Sequence, residues 1–510
     1  MKKQIYHIQM ITLLLGVGLL SSCHDFFNLE PENGIKHDKF YTNRNDLNAA
    51  AYGIYAALSP EVHKFLLWGS ARADMVTAGE GTDVYVNEFI NNNVSDLNPY
   101  TDYSGLYKAI ARCNHQLENI DRVEIKDESL GKNDLDAFRG EAYYVRALCY
   151  FYLVRTYKEF PVITSDLSNT VLYVNADGNT IRSKTMDLSE EDLRTIALQP
   201  RAEEEVWKLI MSDVNKAMGL MKLDYNWVYF NSLSNNERYG RASLPAAFAL
   251  GCEVAMWMKQ YQKASSYADL VINNNFHDIG AASSWSTQFT GNGQVSPYSL
   301  FLMGYRYDQS FETNRLQEFT SNVEADGGRY LLKPMMLVVD SIFSETADVR
   351  RTSFRRVNRK DLIWKYIGTD VNSDAMRAAY HSDASWHMTK SADIYLWKGI
   401  AENRLHNPSA ALYFLNKVRI NRGLDEYEAD KISMKMEDLE DMLFLERARE
   451  MAFEGKRWYD LLYMEKVLDK KGRIAAAVSR KYPQSERTAM YNYLLEESHW
   501  YLPIDPDRWK

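Results

Sequence analysis

The chain has 510 residues, 46% hydrophobic and 25% charged, with 25 Gly and 12 Pro. This is globular usage with few chain breakers, which sets aside disordered, collagen-like and coiled-coil classes and favours long helices. A formal charge of −9 with no basic stretch argues against a nucleic-acid binder, and 34 Tyr with 11 Trp supply rings that either pack a core or cover a polar ligand.

Residues 1–22 are not expected in the fold. Lys2 and Lys3 precede an apolar run, Met10–Leu20, which ends in Ser21, Ser22 and Cys23. A basic start, a short apolar run and small residues describe a secretory signal. The run is too short for a bilayer span of about 20 residues, and no later segment reaches that length without charges. Leu20-Ser21-Ser22-Cys23 resembles a bacterial lipobox, which implies that Cys23 becomes the lipidated first residue of the mature chain. Cys113, Cys149 and Cys252 lie in apolar helical stretches without C-x-x-C spacing and read as small buried residues.

After an extended polar entry, Phe27–Thr42, helical periodicity dominates. Asn45–Leu58 carries Leu47, Ala50, Ala51, Ile54 and Leu58 at helical spacing, and Tyr103–Ile120 repeats the rhythm. Between them Ser59–Asp102, rich in Gly, Asn and Asp, is expected to be loop. Leu135–Phe160 is a long helix ended by Pro161. A polar insertion, Ser165–Leu198, follows, and then a helix over Glu203–Met221 whose first-turn acids suit the helix dipole. Ser243–Lys259 with Tyr261–Asn273, and Ala392–Leu405 with Pro408–Arg422, form two helix–turn–helix pairs of tetratricopeptide-like size. Phe276–Lys390 has weak helical periodicity and reads as a loop-rich lobe with a few short helices or strands. Met436–Met464 is the last strong helical region.

Motifs for catalysis and cofactors are sparse. The chain has no G-x-S-x-G, H-E-x-x-H or Walker sequence. Gly79-Glu80-Gly81 and Gly291-Asn292-Gly293 lack the third glycine of a dinucleotide loop. His381 and His387, six apart, read as scattered histidines. No cofactor and no metal site is expected. Glu446, Glu450 and Glu454 share a helix face near Arg447, Arg449 and Arg457; an acid–base or metal site is one use of that pattern, and an ion-pair seam is the favoured one.

Five motifs in order carry a family resemblance: Asp25–Pro31 after the lipobox, Leu106–Asn114, Arg139–Ala147 followed by Tyr157–Val162, Leu415–Leu424 and Glu446–Leu461. With them the chain resembles the SusD/RagB family of surface lipoproteins over almost its whole length. It departs from the family pattern at Glu159, where Gly is usual, and at Asp505, where Pro is common. The resemblance implies a mainly α fold, with four tetratricopeptide-like helix pairs and an irregular loop-rich lobe packed on them. On that basis 23–510 is one domain, with its scaffold at about 45–275 and 391–465 and its lobe at about 276–390. It also implies a lipid-anchored protein on the outer face of an outer membrane, partnered by a SusC-like TonB-dependent transporter. The implied role is non-enzymatic capture of an oligosaccharide. Peptide capture by the same architecture is the alternative, and a glycosidase is a distant third.

A sugar exposes C–H faces for aromatic rings and hydroxyl rims for Asn, Asp and Arg. Family motifs transfer no ligand residue, so candidates are chosen by local composition. Ser59–Asp102 offers Trp68, Asp74, Tyr85, Asn87, Asn91 and Asn92. The lobe offers Trp285, Tyr305, Arg306 and Tyr307. For each the alternative is packing. Trp207, Trp257, Trp397 and Trp458 lie on helical stripes and are expected in the core.

Overall fold

The computed structural model describes residues 40–127, 129–165, 171–174, 180–183, 202–222, 240–273, 278–285, 287–290, 298–305, 314–369, 373–377 and 384–504. The signal segment with Cys23, the motif Asp25–Pro31, most of the insertion Ser165–Leu198, and Arg306, Tyr307, His381 and Asp505 lie outside the described residues.

The Asn43 side chain accepts from the backbone of Asn45 at 2.8 Å, and so caps helix α1, Arg44–Leu58. Its stripe of Leu47, Ala51, Ile54 and Leu58 is buried. Helices α2 (Ser104–Asn119), α3 (Lys132–Thr156) and α4 (Glu203–Leu220) follow, then α5 (Leu244–Trp257) and α6 (Tyr261–Ile272). Helices α7 (Ser391–Arg404) and α8 (Pro408–Ile420, with Pro in its first turn) form the last pair, and α9 is Met436–Glu450. The pairs are α1–α2, α3–α4, α5–α6 and α7–α8, and each pair packs on the next through α2–α3, α4–α5 and α6–α7. The fold is mainly α, with four stacked helix pairs.

Helix α3 lies at the centre, and from Tyr144 to Thr156 every residue is buried. Its buried charged residues are matched by partners on neighbouring elements. Arg146 forks onto both oxygens of Asp213 on α4 at 2.7 and 2.8 Å and reaches Asn114 on α2 at 2.7 Å. Glu141 takes Arg241 at 2.7 Å and the Tyr55 hydroxyl at 3.0 Å. The stretch Arg139–Ala147 thus ties three helix pairs together. Trp207, Trp257, Trp397 and Trp458 are core residues, and the three cysteines are free and buried.

Two expectations are corrected. Ser59–Asp102 is not a loop in its first half. Residues 61–76 are buried without a break, and the chain stays helical through Val62–Leu66 and a wide helical turn, Leu67–Ala71. Val62, Phe65, Leu66, Leu67 and Ala71 are all apolar, and they outweigh the Gly, Asn and Asp concentrated after residue 79. The second correction is at Met436–Met464, which is not one helix. It breaks after Glu450 and resumes as α10, Arg457–Leu462. Phe453 and Gly455 have φ of 65° and 67°. A Cβ on Gly69 would overlap the Gly455 carbonyl, so two backbones touch there, and the Gly455 N–H donates to the Ser70 hydroxyl at 2.9 Å. The carbonyls freed by the break are taken up by neighbours: Ala452 by Lys365 at 2.9 Å, Phe453 by the Tyr366 hydroxyl at 2.8 Å and Glu450 by Lys390 at 3.2 Å.

Between α6 and α7 the described residues form only short elements. The strands are β1 (Val76–Ala78), β2 (Val171–Val174), β3 (Thr180–Ser183), β4 (Ser299–Met303), β5 (Leu332–Pro334), β6 (Arg355–Val357), β7 (Lys360–Leu362) and β8 (Trp386–Lys390). They pair antiparallel as β1–β5, β2–β3, β4–β8 and β6–β7. Residues 499–502 return to the start of the fold. Buried Arg72 donates to the carbonyls of Trp500 at 3.0 Å and His499 at 2.9 Å, and the Leu502 N–H donates to Thr156 at 2.8 Å.

Candidate functional site

The pairing of β1 with β5 joins the two irregular segments from which the ligand candidates were drawn. Val76 faces Pro334 and Ala78 faces Leu332. Beyond the strands the backbones stay together, with Gly79 N–H on the Leu331 carbonyl at 3.1 Å and Gly81 N–H on Tyr330 at 3.3 Å. The Tyr305 hydroxyl adds a bond to the Ser59 carbonyl at 2.6 Å.

On this junction sits the short helix Val84–Ile90. Asp83 caps it, accepting from the Val86 N–H at 2.9 Å through Oδ1. Its Oδ2 accepts from Arg329 at 2.9 Å. Arg329 also reaches Glu318 at 3.1 Å, and both oxygens of Glu318 accept from one edge of the Arg315 guanidinium, Nε–H and Nη2–H, at 2.8 and 2.9 Å. The result is a four-residue ladder, Asp83–Arg329–Glu318–Arg315, with side chains 25%, 45%, 23% and 41% exposed. Partial burial pushes the Glu318 carboxyl up, but Arg315 and Arg329 more than offset this and hold it below its usual value. The bonds to Glu318 raise both arginines.

Behind the ladder lies a buried aromatic floor. His63 meets the Tyr100 ring edge-on at 5.8 Å and lies 5.7 Å from Phe319. Burial, together with the charges of Arg315 and Lys64, lowers the His63 ring to about 3, so it is neutral at physiological pH.

The candidates divide by burial. Tyr85 is 44% exposed, Asn87 is exposed and Asn91 is half-exposed; all three lie on or next to the short helix. The others are enclosed. Trp68 is fully buried and donates Nε1–H to the Tyr100 carbonyl at 2.8 Å. Asp74 is clamped by Arg457 at 3.0 and 2.9 Å. Asn92 exchanges bonds with Arg72 at 3.1 and 3.0 Å. Trp285 has Arg422, Lys390 and Lys365 within 4.8, 4.9 and 5.1 Å of its ring centroid. Tyr305 is buried. Packing accounts for these five. Sequence reasoning missed Arg315, Glu318, Arg329 and Asp83. The local signals were present, an Arg–Glu pair three apart and an Asp before a helical run, but the pairing across the junction is not local.

The expected acidic seam is an ion-pair seam. Glu450 binds Arg422 at 2.8 and 2.9 Å and Arg350 at 3.2 Å. Glu446 meets Arg350 at 2.6 Å, and Glu454 Oε1 lies 2.7 Å from both Lys365 and Lys390. Burial raises the Glu450 carboxyl, yet Arg422, Lys390 and Arg350 overcome this and hold it far below the usual range. Every one of these side chains is almost fully enclosed. Among the described residues no group of three or more His, Cys, Asp or Glu is placed to hold a metal ion, and no helix is long and apolar enough to cross a membrane.

A family profile described as "Starch-binding associating with outer membrane" matches residues 36–239, and the SusD family profile matches 350–507. The chain belongs to the SusD/RagB family. SusD-like protein P38 of Formosa agariphila is 24% identical over 91% of this chain and 92% of its own length. A SusD superfamily protein from Bacteroides vulgatus superposes with a TM-score of 0.72 at 17% identity, over 92% of this chain and 97% of that one. A structure titled as a laminarin-binding SusD-like protein superposes at 0.67 and 18% identity, over 92% and 97%. On this SusD-like frame the motifs acquire physical roles: Arg139–Ala147 binds helix pairs together, and Glu446–Leu461 supplies the buried seam and the Gly455 turn.

Proposed function

We propose that this protein is a non-catalytic, cell-surface lipoprotein of the outer membrane, anchored through Cys23, that captures oligosaccharides and passes them to a SusC-like TonB-dependent transporter. In this proposal 23–510 acts as one domain, with the sugar held at the junction of the Ser59–Asp102 segment and the 276–390 lobe. The observation that carries it is the junction itself: an exposed ring, Tyr85, and two solvent-reaching amides, Asn87 and Asn91, on or next to one short helix, with a ladder of hydrogen-bonding side chains partly open to solvent. That is the apolar face with placed polar groups that a sugar requires. The starch-binding, outer-membrane description of the matching profile and the laminarin-binding neighbour support it. Such binding needs no covalent step.

Affinity electrophoresis of the mature chain against a polysaccharide panel tests the binding. Retardation by at least one glycan, lost in Tyr85→Ala and without product release on long incubation, is expected. Retardation by none, with peptides copurifying instead, would refute it. Pull-down of a SusC-like transporter with this protein from solubilised outer membranes tests the partner.

A further inference from the structure

This inference rests on the sugar-binding proposal and concerns the class of sugar. Arg315 and Arg329 are half-exposed cations at the junction, and each is neutralised within hydrogen-bond distance. Both oxygens of Glu318 hold Arg315 at 2.8 and 2.9 Å; Asp83 at 2.9 Å and Glu318 at 3.1 Å hold Arg329. Two acids cancel two bases. Two more ion pairs on the adjoining β6–β7 hairpin follow the same rule, Lys360 with Glu80 and Arg356 with Asp361 at 2.7 and 2.9 Å. One turn along the helix from Tyr85, Glu88 is bonded by neutral donors, Asn98 Nδ2 at 2.8 Å and the Ser95 N–H at 3.0 Å. Arg359 is exposed at the hairpin tip, outside the ladder.

A uronate or sulfate ester is recognised by guanidinium or ammonium groups whose donor edges face it. Here one edge of each arginine is already engaged and its charge balanced by carboxylates, and Glu88 would repel an anion lying along the helix. A neutral polyol loses nothing to this arrangement, because carboxylate lone pairs and the remaining guanidinium N–H groups bond hydroxyls equally well. We propose that the junction selects neutral oligosaccharides and rejects uronate-rich and sulfated ones, with Asp83 and Glu318 as the specificity residues that keep the two arginines from facing an anion.

The mature chain is tested against laminarin and amylopectin as neutral probes and polygalacturonate and chondroitin sulfate as acidic ones, at low and at physiological salt. The unaltered protein should bind a neutral probe and neither acidic one. Glu318→Gln and Asp83→Asn each remove one of the two negative charges that balance the arginines, leaving the ladder with net positive charge, and each should raise the ratio of acidic to neutral affinity about tenfold at low salt, since a charge-assisted bond is worth about that factor. The gain should shrink as salt rises. Asn at 83 still caps the helix, and circular dichroism confirms the fold of both variants. Preference of the unaltered protein for an acidic probe, or no gain in either variant, overturns the proposal. Binding of no glycan at all would sink the capture proposal beneath it, a result separable from a preference for acidic probes.

Discussion

Two chains of alternating acid and base run through this molecule, built from the same residue types and used in opposite ways. One is the enclosed seam of Glu446, Glu450 and Glu454 with Arg350, Arg422, Lys365 and Lys390, where every partner is out of water. The other is the ladder of Asp83, Arg329, Glu318 and Arg315, where each side chain keeps a solvent-facing part. Burial makes the first costly to break, because a charge stripped of its partner has no water to turn to. Exposure makes the second cheap to open, because water replaces whatever is lost. The scaffold can therefore be rigid around residue 450 while the ladder at the junction exchanges its hydrogen bonds with solvent.

The largest effect that separates the two regions should come from Glu450→Ala. It takes away the carboxylate that pairs with buried Arg422 and one of those that surround Arg350 and Lys390, and chemical denaturation should record a loss of about 3–5 kcal/mol. A loss under about 1 kcal/mol would place the seam in the class of the ladder. Trp285→Ala comes next: it removes a buried ring that packs against three cations, for about 3 kcal/mol of stability. Glycan affinity in that variant should be unchanged; if affinity falls while stability holds, Trp285 belongs to the site.

Each region also keeps one neutral histidine. His387, beside Glu454, Lys390 and Lys365, is lowered to about 4, chiefly by burial, and His63 behind the ladder to about 3. Both folded values lie below the ordinary value of about 6.5, so between roughly pH 6.5 and 4 the unfolded chain binds protons that the folded chain does not. Stability should thus be full above that window and fall as pH drops through it, by about 1.4 kcal/mol per pH unit for each ring at most. Urea midpoints measured across the window check this, and His387→Asn should flatten part of the slope. The smallest effects belong to the exposed side. Glu318→Gln should cost under about 1 kcal/mol, and Tyr85→Ala should leave the melting temperature within error while abolishing retardation by glycan.

How much was legible in the sequence depends on the range of the interaction. Helices α1 to α8 follow from apolar periodicity, and their limits match within a few residues because caps and prolines such as Asn43, Ser243 and Pro408 act locally. The break at Met451–Lys456 was hidden. Its apolar spacing continues through the turn, and the cause is distant: Gly69 pressing on Gly455, with Lys365 and Tyr366 claiming the carbonyls. The candidate site was half legible for the same reason. Composition offered Tyr85, Asn87 and Asn91, which reach solvent at the junction, but it weighed buried Trp68 and Trp285 equally, since a ring that packs and a ring open to a ligand are the same residue until burial is known. Asp83 and Arg329 meet only because β1 crosses to β5.

The return of residues 499–502 to Arg72 and Thr156 bears on the order in which the chain is made. A polypeptide emerges from its amino end, so the first helices are complete long before the carbonyls that Arg72 needs exist. Until then its guanidinium lacks those acceptors, and the segment around it cannot reach its final packing. Contacts of such long sequence separation form late and slowly. Vectorial synthesis thus leaves this corner of the fold open until nearly all of the chain is available.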